Sequence, residues 1–330
     1  MNTEPLVSVI IPTYNRPEYL RYALNSVISQ TYKNIEIIVS DDAGNPDNYF
    51  VVSSFADSRI KYYRNESNLG IAANNISALT KTNGKYIADL NDDDFWEKDF
   101  LGILVPYLEN NSDTVVAFSD HYIMNDQNEI DLEATESNSK LWKRDKLTKG
   151  IYMPFYDIAI VHRSIPIVMS ALIRKSAINW DNFPLEVGCV YDLWINYLAC
   201  CSGGAAYYYP ERLTRYRVHS NSESSQGRLR VNKGMIFCYE SFLQDNKLSS
   251  LVPELKKALA YAYRNAGSAK LKKKKTIEAR RFFLQAIKMR VTIDSLFLLL
   301  LTLIPYSLSN KVYFIVFFMR KVKTRIYLTQ

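Results

Sequence analysis

The sequence is short of several things that would point elsewhere. Its four cysteines, Cys189, Cys200, Cys201 and Cys238, form no C-x-x-C pair. They read as reduced, packed thiols of a cytoplasmic protein. The opening MNTEPLVSVIIPTYN has no basic segment followed by a long apolar one, so it does not read as a secretory signal. The stretch PTYNRPEYL, where a triphosphate-gripping loop would lie in a nucleotidyltransferase, has no glycine. No apolar run reaches the roughly 20 residues that a membrane-spanning helix needs. Acidic residues nearly vanish towards the end: residues 255–330 hold 17 Lys and Arg against 2 Asp and Glu, leaving 24 basic and 32 acidic residues for the rest. An acidic body suits a divalent cation and repels a polyanion, so nucleic acid is not an expected partner. A basic end suits an anionic lipid surface.

What is present is an ordinary globular composition, 48% hydrophobic and 23% charged over 330 residues, enough for one large or two modest domains. VSVIIP (Val7–Pro12) and IEIIVSDDAG (Ile35–Gly44) read as buried strands, with RIKYYRN and GKYIADLNDDD as the third and fourth. EYLRYALNSVISQTY, FVVSSFA and GIAANNISALTKTN read as the helices between them. Strand alternating with helix predicts a parallel α/β sheet, whose ligands bind beyond the carboxyl ends of the strands. Further on, FLGILVPYLENN reads as a helix and TVVAFSDHYIM as a strand. Residues 125–150 read as a polar loop over the site, and IPIVMSALIRKSAI as a strand leading into a helix. YDLWINYLACCS reads as a helix. GAAYYYPERLTRYRVHSNSESS reads as a pair of strands ending in a serine-rich loop.

From about residue 226 the pattern is helical. Residues 254–290 read as two amphipathic helices joined by a basic turn, with Ala262, Ala266, Ala279 and Ala286 at their contact. Residues 291–330 are apolar and basic. They read either as interfacial helices, with Lys311, Arg320, Lys321, Lys323 and Arg325 at anionic headgroups, or as an end docked on the protein's own body. The expected divisions are 1–225, 226–290 and 291–330.

The sharpest local feature is LNDDDFW at residues 90–96. Three adjacent carboxylates, Asp92, Asp93 and Asp94, repel one another and call for a positive partner. Asp41 and Asp42 close the second strand, so both acidic groups are expected at one crevice. A helix N-cap is the alternative for the triplet, although a cap needs one acid and not three.

Taken together, VSVIIPTYNRPEYLRYALNSVISQTY, IEIIVSDDAG and NLGIAANN…GKYIADLNDDDFW resemble the family 2 nucleotide-sugar glycosyltransferases of GT-A fold. The likeness covers the first third of the chain and continues, less closely, through YDLWINYLA and YRVH to about residue 225. It implies a Rossmann-like, mostly parallel central sheet flanked by helices, here with a helical C-terminal extension. It implies inverting transfer of a sugar from a nucleotide diphosphate, uridine by default, to a hydroxyl of a saccharide acceptor. The basic, apolar end makes that acceptor a lipid-linked one in cell-surface polysaccharide synthesis, with the enzyme peripheral at the cytoplasmic face of the inner membrane. Mn²⁺ or Mg²⁺ would hold the diphosphate and offset the charge on the leaving group.

The resemblance also implies roles for individual residues. Asp93 matches the metal ligand, while Asn91 stands where the motif usually begins with Asp. Asp92 either supports Asp93 or binds the ribose or donor sugar, and Asp94 supports. Asp42, beside Asp41, matches the contact to the base, and Pro12, Thr13 and Tyr14 line the nucleotide pocket. The arginine frequent after N-x-G is replaced by Ala72-Ala73-Asn74-Asn75, which leaves Asn74 as a weak diphosphate contact. Asp192 of YDLW matches the general base, or else serves the helix dipole, and the Glu-Asp that usually leads it is Cys189-Val190. In Tyr216-Arg217-Val218-His219, His219 would meet the metal or diphosphate and Arg217 would offset phosphate charge. These departures keep a catalytically inactive, glycosyltransferase-like binding protein as the alternative.

Overall fold

A computed structural model describes residues 4–219 and 228–304. The expected serine-rich loop and the basic residues from Lys311 onward lie outside the described residues. The chain divides into two compact units at residues 226 and 227.

The first unit is built on one sheet. Its strands are β1 (Val7–Thr13), β2 (Ile35–Asp41), β3 (Ile60–Arg64), β4 (Tyr86–Asp89), β5 (Phe95–Trp96), β6 (Thr114–Met124), β7 (Ile130–Asp131), β8 (Gly150–Tyr152), β9 (Ala171–Arg174) and β10 (Ala205–Arg217). The order is β3-β2-β1-β4-β9-β6-β10-β5, with β7 on β6 and β8 on β10. The β3-β2-β1-β4 half is parallel throughout. The β6–β10 pair is also parallel, and β9 runs antiparallel between β4 and β6. Helices α1 (Pro17–Ile28), α2 (Asp47–Ser53), α3 (Ile71–Leu79), α4 (Phe100–Glu109), α5 (Leu132–Leu141) and α6 (Tyr191–Cys201) complete the unit.

Both faces of the central strands are apolar because both are covered. Val7, Val9, Ile11, Ile37, Val39 and Ala88 pack with Leu20 and Leu24 of α1 and Leu104 of α4. The alternate residues Ile10, Ile38 and Ile87 pack with Ala78 and Leu79 of α3.

β1 and β4 part before β1 and β2 do. β1 pairs with β4 only from Val7 to Ile10, but with β2 as far as Thr13. The Ile10 carbonyl accepts the Leu90 N–H at 2.9 Å, the last link to β4. Pro12 has the orientation of Ile10, so its missing N–H falls on the side β4 has left and no ladder bond is lost.

Three expectations are corrected. Residues 125–150 are not a plain loop: they run to the start of β8 and hold β7 and α5, which Asp131 caps by accepting the Ala134 N–H at 2.8 Å. That helix buries Thr135 and Ser139 rather than aliphatic side chains, so it has no apolar period to read. The expected pair of strands at 205–219 is one 13-residue strand, β10. Pro210 and Glu211 fall within a register shift against β6, between Tyr209 and Arg212, and form an irregularity rather than a turn. The helix expected after β9 is only a 3₁₀ turn, Lys175–Ala177.

The second unit contains α7 (Arg228–Phe242), α8 (Val252–Lys272), α9 (Thr276–Met289) and α10 (Ile293–Leu301). Helices α8 and α9 form the hairpin, and Ala262, Ala266, Ala279 and Ala286 are all fully buried. No described helix is long and apolar enough to cross a membrane. α10 packs Leu298 and Leu301 inward against Phe283 and leaves Ile293, Leu296 and Leu300 exposed.

Gly84 lets β4 enter beside β1. A Cβ there would lie 2.6 Å from Ser8 N and 2.8 Å from Leu6 O, both backbone atoms. Gly84→Ala is expected to destabilise the first unit by about 1–3 kcal/mol. Gly102→Ala, whose Cβ would meet only Thr31 Oγ1 at 3.2 Å, serves as the milder control, and urea denaturation of the two variants gives the comparison.

Candidate functional site

Thr13, the last residue of β1, joins the two acidic groups. Its carbonyl accepts the Asp42 N–H at 2.9 Å, and its hydroxyl donates to Asp92 Oδ2 at 2.8 Å. The ends of β1, β2 and β4 therefore bring Thr13, Asp41, Asp42, Asp92 and Asp93 to one place.

The three adjacent acids take three different partners. Asp94 is fully buried and accepts the Arg217 backbone N–H and the Asn91 amide, both at 2.9 Å. It ties the segment after β4 to the end of β10. Asp92 is buried and also receives Arg16 Nη1 at 3.3 Å. Asp93 Oδ2 receives Arg16 Nη1 at 2.8 Å and lies 3.1 Å from His219 Nε2. The His219 ring in turn lies 5.2 Å from that of Tyr19.

This cluster is short of positive charge. Burial pushes the Asp92 carboxyl up to about 7, helped by the Asp93 charge and opposed by Arg16 and Thr13. Burial and the Asp93 charge hold Asp94 well above the usual carboxylate range, against its bonds from Arg217 and Asn91. Among the described residues no set of three or more His, Cys, Asp or Glu gathers as a metal-ligand group. Asp93 and His219 offer a carboxylate oxygen and an imidazole nitrogen on adjacent positions. That pair fits a divalent ion which takes its remaining ligands from a bound anion.

Several expected site residues are used within the fold. Arg217 is 1% exposed and each guanidinium nitrogen already donates: Nε to Asp93 O at 2.8 Å, Nη1 to Asn125 O at 2.9 Å and Nη2 to Asn128 Oδ1 at 2.6 Å. It is a strut behind the acid segment, which corrects its reading as a phosphate partner. Asn74 is corrected likewise, since it is buried and exchanges hydrogen bonds with Ser40 while accepting from Asn65 at 2.9 Å. Asp41 accepts the Gly44 N–H at 2.6 Å, Tyr62 OH at 2.6 Å and Asn48 Nδ2 at 3.1 Å. Asp42 accepts the backbone N–H groups of Leu69 and Gly70 at 2.7 and 2.9 Å and Asn65 at 3.0 Å. These two carboxylates shape the loops at 44–48 and 65–70. Pro12 is half-buried, and Tyr14, just past β1, is 47% exposed.

A second pair of acids stands at the start of α6. The Asp192 side chain is 37% exposed and accepts Arg163 Nη2 at 3.2 Å. Behind it, Asp89 at the end of β4 is buried and accepts Tyr191 OH at 3.2 Å. Asp89 Oδ1 has no hydrogen-bond partner among the described residues. Burial pushes this carboxyl up to about 7, opposed by Tyr191 and reinforced by the Asp192 charge. Sequence reasoning passed over Asp89, Arg16 and Tyr191. The signal for Asp89 was an acid inside the apolar run KYIADL.

The other histidines stand apart. His121 is buried beside Arg144 and Asp120, and burial, with the Arg144 charge, pushes it down to about 3. It is neutral and belongs to the contacts that hold α5. His162 pairs with Asp157 at 3.2 Å on an exposed turn. A cleft of about 410 Å³ between Glu4, Tyr32, Gly102 and Glu109 lies by the start of β1, at the opposite end of the strand from the acids.

Residues 8–175 match the family model described as "Glycosyl transferase family 2". Over 220 residues, 67% of this chain and 80% of the other, the sequence is 30% identical to an Escherichia coli protein named UDP-Glc:alpha-D-GlcNAc-diphosphoundecaprenol beta-1,3-glucosyltransferase WfaP. The fold is similar to that of S. aureus TarS 1–349 in complex with UDP-GlcNAc, with a TM-score of 0.62, 15% identity, and 85% of this chain and 81% of that one covered. It is also similar to a Pyrobaculum calidifontis mannosyltransferase in complex with GDP-Man and Mn²⁺, with a TM-score of 0.56, 16% identity, and coverage of 94% and 87%.

The raised Asp89 carboxyl has a consequence for stability. Its folded pKa of about 7 exceeds the unfolded value near 3.9, so the native state holds the extra proton between roughly pH 4 and 7. The fold therefore loses stability as pH rises through that window. Asp89→Asn is expected to gain on the wild type by on the order of 1.4 kcal/mol per pH unit there, levelling off above it. Urea unfolding at several pH values reads the gap, and a gap independent of pH would refute the shift.

Proposed function

The chain belongs to glycosyl transferase family 2, and on that premise we propose that it is an inverting transferase. It moves a sugar from a UDP-sugar to a hydroxyl of a lipid-linked saccharide during cell-surface polysaccharide synthesis, at the cytoplasmic face of the membrane. The observation that carries the reading is Thr13, which bonds to the acids of β2 and of the segment after β4 and so joins them at the carboxyl ends of the strands, where ligands of such sheets bind.

The nucleoside lies over Pro12, Thr13 and Tyr14, with the exposed Tyr14 ring as its stacking face. Asp42 contributes by fixing the 65–70 loop and presenting that wall to the base, and Asp41 does the same for the 44–48 turn. Asp92, bonded to Thr13 and Arg16, faces the ribose or donor sugar. Asp93 and His219 hold Mn²⁺ or Mg²⁺, which when bound neutralises charge on the diphosphate. Asp94, whose carboxyl burial pushes up, accepts from the Arg217 N–H and the Asn91 amide and so keeps the acid segment in register.

In the transfer itself the acceptor oxygen attacks the anomeric carbon, the bond to the β-phosphate oxygen breaks, and the electron pair leaves with the nucleotide. Asp192 takes the proton of the acceptor hydroxyl. Its partner Arg163, which donates to Oδ2 at 3.2 Å, holds the carboxylate in place. The replacement of the leading Glu-Asp by Cys189-Val190 leaves Asp192 as the solvent-facing acid on this helix start.

The relative named for an undecaprenol-linked acceptor supports the lipid-linked substrate. The exposed Ile293, Leu296 and Leu300 and the basic residues that follow in sequence, Lys311 to Arg325, support a membrane contact for residues 291–330.

Thermal melting with UDP, GDP, dTDP and CDP, each with and without Mn²⁺, tests the donor. UDP with Mn²⁺ is expected to give the largest rise, and Asp93→Ala to abolish it. Asp192→Asn is expected to lower kcat by roughly 10²–10⁴ while UDP affinity stays unchanged; equal turnover in the variant would remove Asp192 from the role. Deletion of residues 291–330 is expected to move the protein from the membrane pellet to the supernatant.

A further inference from the structure

The most telling contact of the acid cluster is the one that opposes cation binding. Asp93 is the carboxylate that the proposed function gives to the metal, and Arg16 Nη1 already donates to its Oδ2 at 2.8 Å. The same nitrogen reaches Asp92 Oδ1 at 3.3 Å. Arg16 stands between β1 and α1, directly ahead of Pro17 at the first helical position. Its side chain is 31% exposed, whereas that of Asp93 is 12% exposed. Within the described residues the ion-pair partners of the triplet are Arg16 and His219. Arg217, the other nearby guanidinium, donates from every nitrogen to the fold. Residues 72–75 supply no cation at all.

We propose that Arg16 is an exchangeable counterion: it neutralises Asp92 and Asp93 while the site awaits its donor, then releases Asp93 to the metal and turns to the diphosphate. This rests on the proposed function for the identity of the incoming groups. The exchange follows from charge and geometry. A divalent ion at Asp93 Oδ2 competes for that oxygen with the guanidinium 2.8 Å away. A guanidinium left beside a dication is repelled. A diphosphate arriving together with the metal gives Arg16 a planar, doubly accepting partner in place of the carboxylate it leaves. Metal and diphosphate thus help each other through Arg16, beyond their direct contact, and the coupling is reciprocal. Arg16 would then serve in place of the arginine absent from residues 72–75.

The test uses the full-length protein and two separate readouts. Mn²⁺ binding without nucleotide is followed by the loss of the free-ion EPR signal, and UDP binding at saturating Mn²⁺ by calorimetry. In Arg16→Gln, Mn²⁺ alone is expected to bind about fivefold tighter or more, while UDP with Mn²⁺ binds about fivefold weaker or more. Arg16→Lys keeps the charge but not the planar fork, and is expected to fall between the two on both measures. It also supplies a folded comparison should the glutamine variant melt early. Unchanged or weaker Mn²⁺ binding in Arg16→Gln overturns the exchange. Tighter Mn²⁺ with unchanged UDP binding overturns the diphosphate half of it. A wild type that binds no nucleoside diphosphate overturns the proposed function instead, and the nucleotide-free Mn²⁺ comparison still decides for or against Arg16 as counterion.

Discussion

The site depends on negative charge that the fold gathers and does not fully neutralise. Two unit charges about 4 Å apart near a protein surface repel by roughly 4 kcal/mol at an effective dielectric of 20. Asp92, Asp93 and Asp94 follow one another, and burial pushes the carboxyls of Asp92 and Asp94 up, with the Asp93 charge adding to both shifts. A chain folding only for stability has no use for three adjacent acids, and the residue ahead of them is the uncharged Asn91. Retaining three acids behind a single half-exposed arginine makes sense where a cation completes the arrangement.

The remaining architecture holds that segment still. Asp94 bonds to the Arg217 backbone and Arg217 bonds back to the Asp93 carbonyl, so β10 and the acid segment lock together from both sides. Asp41 and Asp42 do the same for the loops after β2 and β3, each carboxylate accepting three bonds. Acids near a site thus divide into those that shape its walls and those that face its contents. Burial with saturated acceptors marks the first kind. Asp93 and Asp192, each with one carboxylate oxygen in an ion pair, sit at more open positions and are the candidates for the second kind.

Much of this was legible in the chain. The alternation of buried strands and helices gave the parallel half of the sheet, and the acids closing two strands gave the place of the crevice. The family followed from those same residues. What was not legible has physical causes. Helix α5 hides because its buried face is Thr135 and Ser139, hydrogen-bonded rather than apolar. The length of β10 hides because Pro210, usually a strand breaker, sits at a register shift. Arg217 and Asn74 carry the right chemistry for phosphate but spend it on neighbours distant in sequence, which no local pattern records. Arg16 was passed over because its two carboxylate partners lie 76 and 77 residues away.

The start of α6 shows how a departure from a motif can be balanced elsewhere in the fold. The Glu-Asp pair expected ahead of the helix is Cys189-Val190, and Val190 is buried. The position nevertheless keeps two carboxyl groups, because Asp89 reaches it from the end of β4 through Tyr191. Their environments differ as those of an acid and a base do. Asp192 is open and paired with Arg163. Asp89 is enclosed, with one oxygen unpartnered, and is pushed towards its protonated form. In this arrangement the strand end supplies a buried carboxyl beside Asp192 where the helix start has Cys189 and Val190.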